Sequence, residues 1–524
     1  MKIKINEFIE KSKKGIVLSI MALFMLMFIF YQFFVIKGRQ YTNFNTNNVS
    51  LYFLSFALFA MLCVFVSYFY IVKKQIDISN ICTIGLIAIG VVYTIMFLPG
   101  AVPDERVHFY SSYELSNYFS FNFEQAGTSN LIMRESDVGF VTSTLKHLLN
   151  EDYYAEIKNG FSWFSAQNAL VEYGGHNTMG GSNAPLGYIF SALGIAIARM
   201  FKFSPTLLYF FGRFFNVVSY ALMVRWAIKR IPYGKMAIFA ISFLPMNLHL
   251  MASYSYDAQI VAFVMLFVAQ VLYMREKEDN ISIKDIIVCS VFAILVGTSK
   301  LVYIPLVLLV FIIPKEKFGF SFKKTLLTKV MIFAIAVIFM IITQLGNLLE
   351  TVTDVEVSWS GEDARSVSWI LQNPLHAIKV YVDTIFVRGD FYLDSLVGYS
   401  LGFFQITVPG YCYIPFFGFL IYSFMSRSGE KSQICFGNKL WMTLLVIASI
   451  MLTLTSMMIA WTPLSYSTIE GVQGRYFIPL LIVVYLILRN KFIAVSPKTD
   501  KYAIFVLLYW NLFVGIQYFV TAFA

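Results

Sequence analysis

Residues 81–110 read ICTIGLIAIGVVYTIMFLPGAVPDERVHFY. The apolar run from Ile81 to Leu98 is long enough to cross a bilayer as a helix. A Pro-Gly turn stops the run, and two adjacent carboxylates, Asp104 and Glu105, follow it, with His108 four residues after the first. Because hydrocarbon penalises charged groups close to it, such groups need an explanation in binding or chemistry. The stretch therefore predicts a membrane helix that ends in a candidate polar site.

The composition assigns the whole chain to the membrane. Of its 524 residues, 58% are hydrophobic and only 13% are charged, whereas soluble domains carry about 25% charged residues. The apolar runs are too long for barrel strands and lack their alternation, so the predicted fold class is all-α and integral to the membrane. These features exclude a soluble enzyme. The net charge of +10 collects in short segments between apolar runs, which indicates a cytoplasmic membrane face rather than a nucleic-acid partner.

The distribution of lysine and arginine predicts the topology by the positive-inside rule. It gives about 13 transmembrane helices, with the N-terminus cytoplasmic and the C-terminus outside. The large first external loop, 99–183, contains short helices of its own; a second external loop is 349–398, and a third joins Trp461 to Gly474. Residues 184–201 are expected to form a helix that lies along the outer interface or dips into it. The predicted crossings are 15–36, 51–72, 81–98, 206–228, 232–250, 254–274, 283–298, 300–314, 327–348, 399–424, 438–461, 474–489 and 502–522.

Several unusual polar residues fall on the outer side in this topology. Besides Asp104, Glu105 and His108, they are Asp257 at an outer turn, Lys300 between two short apolar runs, Arg475 where the third loop re-enters the membrane, and Arg213 near the start of a crossing. Cations at such a site hold a phosphate leaving group, and a carboxylate accepts the proton of an attacking hydroxyl.

Each of these residues also has a structural alternative. Asp104 fits a helix N-cap, and Asp104 and His108 at positions i and i+4 fit an ion pair. Lys300 fits a lysine whose stem lies along apolar surface. Arg475 begins a helix, where the dipole disfavours a cation, so a bound anion is the better interpretation. A divalent ion on Asp104, Glu105 and Asp257 stays open, while no spacing suits a zinc site.

The histidines His147, His176 and His376 are interpreted as ordinary loop residues. External aromatic residues are candidates for stacking on sugar rings, namely Trp163, Tyr173, Trp359 and Trp369. The five scattered cysteines are interpreted as small hydrophobic residues.

Seven motifs in a fixed order carry a resemblance: PDERVHF at 103–109, NAPLGY at 183–188, GRFFN at 212–216, LPM at 244–246, SYDA at 255–258, SKLVYIP at 299–305 and GVQGRYFIP at 471–479. Together they resemble a bacterial multi-spanning family of unknown function, which is similar in turn to the GT-C superfamily of membrane glycosyltransferases. The resemblance implies that Asp104 is the catalytic base with Glu105 beside it. It implies substrate-binding roles for the remaining candidates, with Lys300 and Arg475 on the lipid phosphate: His108, Arg213, Asp257, Lys300, Gln473 and Arg475.

The resemblance also divides the chain. Residues 80–348 would be the GT-C-like catalytic module, and 399–524 would be C-terminal transmembrane helices. The acidic motif of GT-C enzymes normally follows the first crossing, whereas here it follows the third. Residues 1–75 would therefore be an added hairpin.

The leading hypothesis is an inverting glycosyltransferase at the outer face of a bacterial plasma membrane. It would move a sugar from a polyprenyl-phosphate carrier to a cell-surface glycan or teichoic-acid-like polymer, with no cofactor expected. Two alternatives remain open: a transporter or flippase of lipid-linked sugars, and a non-catalytic membrane scaffold for envelope assembly.

Overall fold

The computed structural model describes residues 2–40, 45–120, 131–146, 149–174, 185–350, 356–357, 359–430, 434–490 and 492–523. Within these ranges the chain is a helical membrane protein, as the composition predicts. Its α-helices are α1 (Lys2–Lys37), α2 (Thr46–Tyr68), α3 (Ile78–Met96), α4 (Glu105–Phe119), α5 (Glu135–Ser143), α6 (Glu151–Asn159), α7 (Ile189–Met200), α8 (Pro205–Arg230), α9 (Lys235–Ser242), α10 (Pro245–Met251), α11 (Asp257–Glu276), α12 (Ile283–Gly297), α13 (Phe322–Glu350), α14 (Val367–Gln372), α15 (Pro374–Val397), α16 (Gly410–Phe424), α17 (Phe436–Ala460), α18 (Leu481–Leu488) and α19 (Asp500–Ala522).

Eight helices in the described ranges are long and apolar enough to span a bilayer: Gly15–Lys37, Thr46–Lys73, Ile78–Met96, Pro205–Arg230, Asp257–Glu276, Phe322–Gln344, Phe436–Ala460 and Pro497–Ala522. Four shorter apolar helices accompany them, at Leu186–Met200, Leu301–Ile312, Gly410–Phe424 and Gly474–Leu488. A multi-pass membrane protein follows from these lengths. The number of about 13 crossings stays a prediction.

The centre of the bundle is α8, which packs against α3, α7 and α11. Small residues permit these close approaches, as is usual between membrane helices. At Gly194 of α7, a Cβ atom would lie 2.8 Å from the backbone oxygen of Phe211 in α8. This packing brings the backbones of α7 and α8 into direct contact.

Prolines lie at irregular helical geometry in three of the expected crossings. The single helix expected at 232–250 is instead α9 and α10, because Leu244 adopts an extended backbone before Pro245, as residues preceding proline do. A 3₁₀ helix with Pro305 inside it occupies Leu301–Ile312. Another 3₁₀ helix, Gly474–Leu480, contains Pro479 and precedes α18.

Both segments predicted to be long external loops contain ordered structure. The first has three helices, α4 to α6, and thus confirms the expectation of short helices there. The second, expected only as a loop, contains the 24-residue helix α15. Short two-stranded sheets complete the described ranges: β1 (Leu131–Arg134) pairs antiparallel with β2 (Leu170–Tyr173), β3 (Glu356–Val357) with β4 (Glu362–Asp363) and β5 (Ser400–Leu401) with β6 (Ile406–Thr407), while β7 (Ser426–Arg427) pairs parallel with β8 (Ala494–Val495).

The N-terminal hairpin, α1 and α2, packs on α19. In this interface Gln32 Nε2 donates to Gln517 Oε1 at 2.7 Å. A polar pair of this kind holds membrane helices together because neither amide finds water in hydrocarbon.

Two sets of contacts identify the ends of the bundle. At one end, Arg230 and Lys277 both pair with Asp285, at 2.9 and 3.0 Å. At the other end, the ring of Tyr154 in the first loop stacks on Phe523, with centroids 4.2 Å apart. The end of α19 and the first loop therefore share one end, opposite the basic residues. Which end faces the cytoplasm stays a prediction.

Candidate functional site

Four residues from distant parts of the chain form one connected series of ion pairs. Arg475 Nη2 lies 2.8 Å from Asp104 Oδ2, and Arg475 Nε lies 3.5 Å from Asp257 Oδ2. The second carboxylate oxygen of Asp257 lies 2.7 Å from Lys300 Nζ. We call Asp104, Asp257, Lys300 and Arg475 the charge cluster. All four were predicted from the sequence to lie at the same membrane face.

Arg475 reaches the cluster because α15 holds the loop before it. The backbone N–H of Gly474 donates to Ser395 Oγ at 2.9 Å. At Gly474, a Cβ atom would lie 2.2 Å from the backbone oxygen of Tyr392 and the backbone nitrogen of Leu396. Only glycine fits there, so the start of the 3₁₀ helix lies directly against the α15 backbone.

Asp104 has an unusual backbone. Its φ is +62°, in the left-handed region, which disfavours residues other than glycine. It occupies the N-cap position of α4, yet its side chain makes no capping hydrogen bond. The N-cap interpretation of the side chain is therefore wrong, because the carboxylate points to Arg475 instead. A left-handed non-glycine residue held in place by its surroundings is typical of functional sites.

Asp104 is also the open acid of the cluster. Its side chain is 59% exposed, whereas that of Arg475 is 3% exposed. Partial removal of the Asp104 carboxyl from water would by itself raise its pKa. The positive charge of Arg475 outweighs this desolvation and holds the pKa below its ordinary value. Asp104 is consequently ionised at neutral pH.

Asp257 and Lys300 form the buried half of the cluster. Asp257 is the first residue of α11, where the helix dipole favours a carboxylate. The Nζ of Lys300 lies 4.9 Å from the ring centroid of Tyr256 and 4.5 Å from that of Tyr476. Its ammonium group therefore lies among an acid and two aromatic rings, a better-defined site than a lysine stem on apolar surface provides.

Arg475 has unused hydrogen-bonding capacity. Its Nη1 is buried and has no hydrogen-bond partner among the residues that the structure describes, and its Nε has only the long contact with Asp257. A buried donor without a partner is costly, by about 1–3 kcal/mol. An anion beside the guanidinium would remove that cost.

The comparison with protein families decides the classification. The family model described as "Predicted membrane protein (DUF2142)" matches residues 86–484. The chain belongs to this family. The match contains the whole charge cluster and all seven sequence motifs, and it leaves the hairpin of α1 and α2 outside. No curated protein matches the chain, and no solved structure matches it.

Within the DUF2142 region, Glu105 and Arg213 form a separate pair behind the cluster, and both side chains are fully buried. Arg213 Nε and Nη2 lie 2.7 and 2.6 Å from the two carboxylate oxygens of Glu105. The carboxylate also accepts hydrogen bonds from the backbone N–H groups of Gly100 and Tyr254, each at 3.1 Å. The remaining guanidinium donors bond the backbone oxygens at the end of α3, those of Thr94, Phe97 and Leu98.

This pair ties the end of α3 to α8 and to the loop before α11. Glu105 accepts four hydrogen bonds from three residues and is fully buried, so the structure does not bring it to the charge cluster beside its neighbour. Its predicted catalytic role, and the substrate-binding role of Arg213, stay predictions. The contacts themselves describe a support for the turn that carries Asp104.

His108 and Gln473 border the cluster. His108 Nδ1 lies 2.7 Å from the hydroxyl of Tyr188, and its ring meets that of Tyr256 edge-on. Burial lowers the pKa of His108 to about 4, so the ring is neutral at pH 7 and does not form the predicted alternative ion pair with Asp104. Gln473 precedes the 3₁₀ helix, and its backbone oxygen accepts from the N–H of Tyr476.

Sequence reasoning missed the tyrosines of the site. Tyr256 and Tyr476 flank Lys300, and Tyr188 bonds His108. Each of these tyrosines lies in one of the seven motifs. Tyr256 and Tyr476 are next to predicted site residues, and Tyr188 is the last residue of its motif. These positions are the signal that could have identified them. Tyr303 donates to the backbone oxygen of Tyr476 at 2.8 Å and so holds the 3₁₀ helix that carries Arg475.

No group of three or more His, Cys, Asp or Glu side chains in the described part could hold a metal ion. The carboxylates of Asp104, Glu105 and Asp257 thus do not form the divalent site left open by the sequence. His376 lies against Trp369 with centroids 5.2 Å apart, while His147 and His176 lie outside the described residues. The five cysteines are free.

Proposed function

We propose that this protein transfers a sugar from a polyprenyl-phosphate carrier to a hydroxyl group of a cell-surface glycan, at the extracytoplasmic face of the bacterial plasma membrane. One observation carries the proposal. Arg475, which has a buried N–H donor without a partner, and Lys300 lie beside two carboxylates, and the carboxylate of Asp104 is exposed to solvent. Cations for a phosphate and a carboxylate for a proton are the groups that this reaction needs.

The cations provide the phosphate site. Arg475 offers its unpaired Nη1 to a phosphate oxygen, and Lys300 is 24% exposed beside it. Asp257 contacts both cations and is itself 8% exposed, so it positions them and keeps them charged. Hydrogen bonds between charged partners of this kind are short and strong.

Asp104 provides the base. The oxygen of the acceptor hydroxyl attacks the anomeric carbon of the sugar, and the bond from that carbon to the phosphate oxygen breaks. The hydroxyl proton passes to the Asp104 carboxylate. The bonding electrons leave on the phosphate oxygen, where Arg475 and Lys300 stabilise the charge.

Phosphate binding also prepares the base. In the free protein, Arg475 lowers the pKa of Asp104. When an anionic phosphate shares that guanidinium, the Asp104 carboxylate loses part of its stabilisation. Its pKa then rises toward the ordinary value for aspartate, which makes it a better proton acceptor.

Binding and transport measurements test this proposal against the transporter and scaffold alternatives. Full-length protein in proteoliposomes is given a fluorescent polyprenyl phosphate and, separately, the corresponding polyprenol. We expect the phosphate to bind at least tenfold more tightly, and Lys300→Met to remove that preference. Lys379→Met is the matched control, because Lys379 is 68% exposed on α15 and pairs only with its neighbour Asp383 in the described contacts.

The same vesicles, given a labelled polyprenyl-phosphate sugar and isolated cell-wall glycan as the acceptor, separate the three functions. Labelled glycan product supports transfer. Movement of the labelled lipid across the membrane without product indicates a flippase. The absence of both product and lipid movement indicates a scaffold. Each of these two outcomes would overturn the proposal.

A further inference from the structure

A group of exposed aromatic side chains lies at the surface of the second and third external loops. Trp359 and Trp461 are 44% and 41% exposed, and Tyr466 is 38% exposed. The ring centroid of Trp359 lies 6.5 Å from that of Trp461 and 5.6 Å from that of Tyr466. We call these three residues the aromatic platform.

A buried arginine holds the platform in place. Arg365, which is 1% exposed, donates from Nη1 to the backbone oxygen of Pro463 at 3.1 Å. Its Nη2 donates to the backbone oxygens of Leu464 and Tyr466, at 3.0 and 2.5 Å. The loop that carries the platform is therefore fixed before any ligand arrives, which reduces the entropy lost on binding.

The platform belongs to the loop that leads to the charge cluster. At Gly471, whose φ is +79°, a Cβ atom would lie 2.5 Å from the Trp461 ring. Trp461 thus packs directly on the backbone four residues before Arg475. The same loop thus carries part of the platform and the arginine of the charge cluster.

The charges around the platform discriminate between possible ligands. Glu362 and Asp363 are exposed on β4, and Glu470 follows in the third loop. The neighbouring Arg365 is buried by its carbonyl contacts, and Arg388 is paired with Glu470 at 2.5 Å. Arg388 is 41% exposed and neutralises Glu470, so the net negative charge of the rim comes from Glu362 and Asp363. This charge repels anionic lipid headgroups and polyanionic polymers.

We propose that the aromatic platform is a subsite for a neutral oligosaccharide, the acceptor glycan, rather than for a polyol-phosphate polymer. The apolar C–H face of a sugar ring lies on an indole ring, and sugar hydroxyls donate to the rim carboxylates. This assignment of the acceptor class rests on the proposed function. An aromatic belt at the membrane interface is the competing explanation, and it predicts no binding of soluble sugars.

Binding of soluble oligomers to the full-length protein in nanodiscs tests this inference. The probes are maltohexaose, cellohexaose, N-acetylchitohexaose and a glycerol-phosphate hexamer, without any lipid donor. We expect at least one neutral hexasaccharide to bind, and the glycerol-phosphate hexamer to bind at least tenfold more weakly. Trp359→Ala and Trp461→Ala should each weaken sugar binding by about tenfold, in line with the contribution of a stacked aromatic ring.

Two variants serve as controls. Trp461→Phe should retain most of the affinity, since a ring remains. Phe386→Ala should have no effect, because Phe386 is 85% exposed on α15 but lies outside the platform. The inference is overturned if none of the three hexasaccharides binds, if the glycerol-phosphate hexamer binds more tightly, or if the platform variants bind like wild type.

The assay also separates this inference from the proposed function. Sugar binding with no transfer activity would contradict the proposed function alone. Transfer activity without sugar binding would contradict the subsite alone.

Discussion

The guanidinium of Arg475 lies 2.8 Å from the carboxylate of Asp104, although 371 positions separate the two residues in the chain. Asp104 reaches this contact from a left-handed backbone and without capping α4. The same guanidinium contacts Asp257, which in turn holds Lys300. Arg475 therefore links the open acid to the buried acid and the second cation.

This position of Arg475 predicts that kcat and kcat/KM for transfer fall at different pH values on the acid side. The limb in kcat/KM reports the free protein, where Arg475 keeps the pKa of Asp104 below its ordinary range. The limb in kcat reports the complex, where phosphate shares Arg475 and the pKa of Asp104 rises. We expect activity to be lost at a higher pH in kcat than in kcat/KM as pH falls. Coincident limbs would contradict the coupling of phosphate binding to the base.

The pair of Glu105 and Arg213 predicts a large loss of stability when one partner is removed. Arg213→Met leaves the fully buried Glu105 carboxylate without its counter-charge, which costs about 3–5 kcal/mol. The double variant Glu105→Leu with Arg213→Met should lose less than Arg213→Met alone. Thermal unfolding in detergent measures both, with Lys379→Met as control. If Arg213→Met melts like wild type, the pair is not the support described here.

His108 predicts a pH dependence of stability. Burial lowers its pKa to about 4 in the folded state, whereas an unfolded histidine has a pKa of about 6.5. The unfolded chain therefore binds more protons than the folded protein between these pH values. The contribution of neutral His108 to the free energy of unfolding is fully present above pH 6.5 and is lost as the pH falls toward 4. The linkage amounts to about 3 kcal/mol.

A histidine variant isolates this contribution. Asp104, Asp257, Arg475 and Lys300 also lie within electrostatic reach of His108 and contribute to the total. We expect His108→Gln to lose less stability than wild type between pH 7.5 and 4.5 in thermal unfolding experiments. Equal losses would show that His108 does not titrate as described.

Cys435 offers a natural test of orientation. It is exposed, and it lies directly before α17. The predicted topology places it in the cytoplasm and the charge cluster outside. An impermeant maleimide should label Cys435 only in permeabilised cells, whereas a cysteine at exposed Ser162 in the first loop should be labelled in intact cells. The reverse pattern would place the cluster in the cytoplasm and contradict the proposed function.

The helical fold class and the placement of the four cluster residues at one membrane face could be predicted from the sequence, because each follows from one dominant physical effect. Long apolar runs form helices in hydrocarbon. The distribution of lysine and arginine then placed Asp104, Asp257, Lys300 and Arg475 at one face, where few positions are available to charged groups.

The remaining details depend on packing that the sequence does not express. Asp104 and Glu105 are adjacent and chemically alike, yet the left-handed backbone of Asp104 turns one to the open site and the other toward Arg213. The contact of Gly474 with α15 requires knowledge of a helix that loop composition did not predict. The tyrosines around Lys300 resemble ordinary interface residues until the helices are placed.

Transfer by the Asp104→Asn variant is the most direct test of the central claim. Wild type, Asp104→Asn and the control Asp390→Asn, at an exposed acid of α15, are reconstituted with a radiolabelled polyprenyl-phosphate sugar and isolated cell-wall glycan. Loss of a general base lowers the rate by about 10²–10⁴-fold. We predict at least a hundredfold loss of transfer for Asp104→Asn, with polyprenyl-phosphate binding at least as tight as in wild type, and full activity in Asp390→Asn. Transfer by Asp104→Asn at the wild-type rate would contradict the assignment of Asp104 as the base.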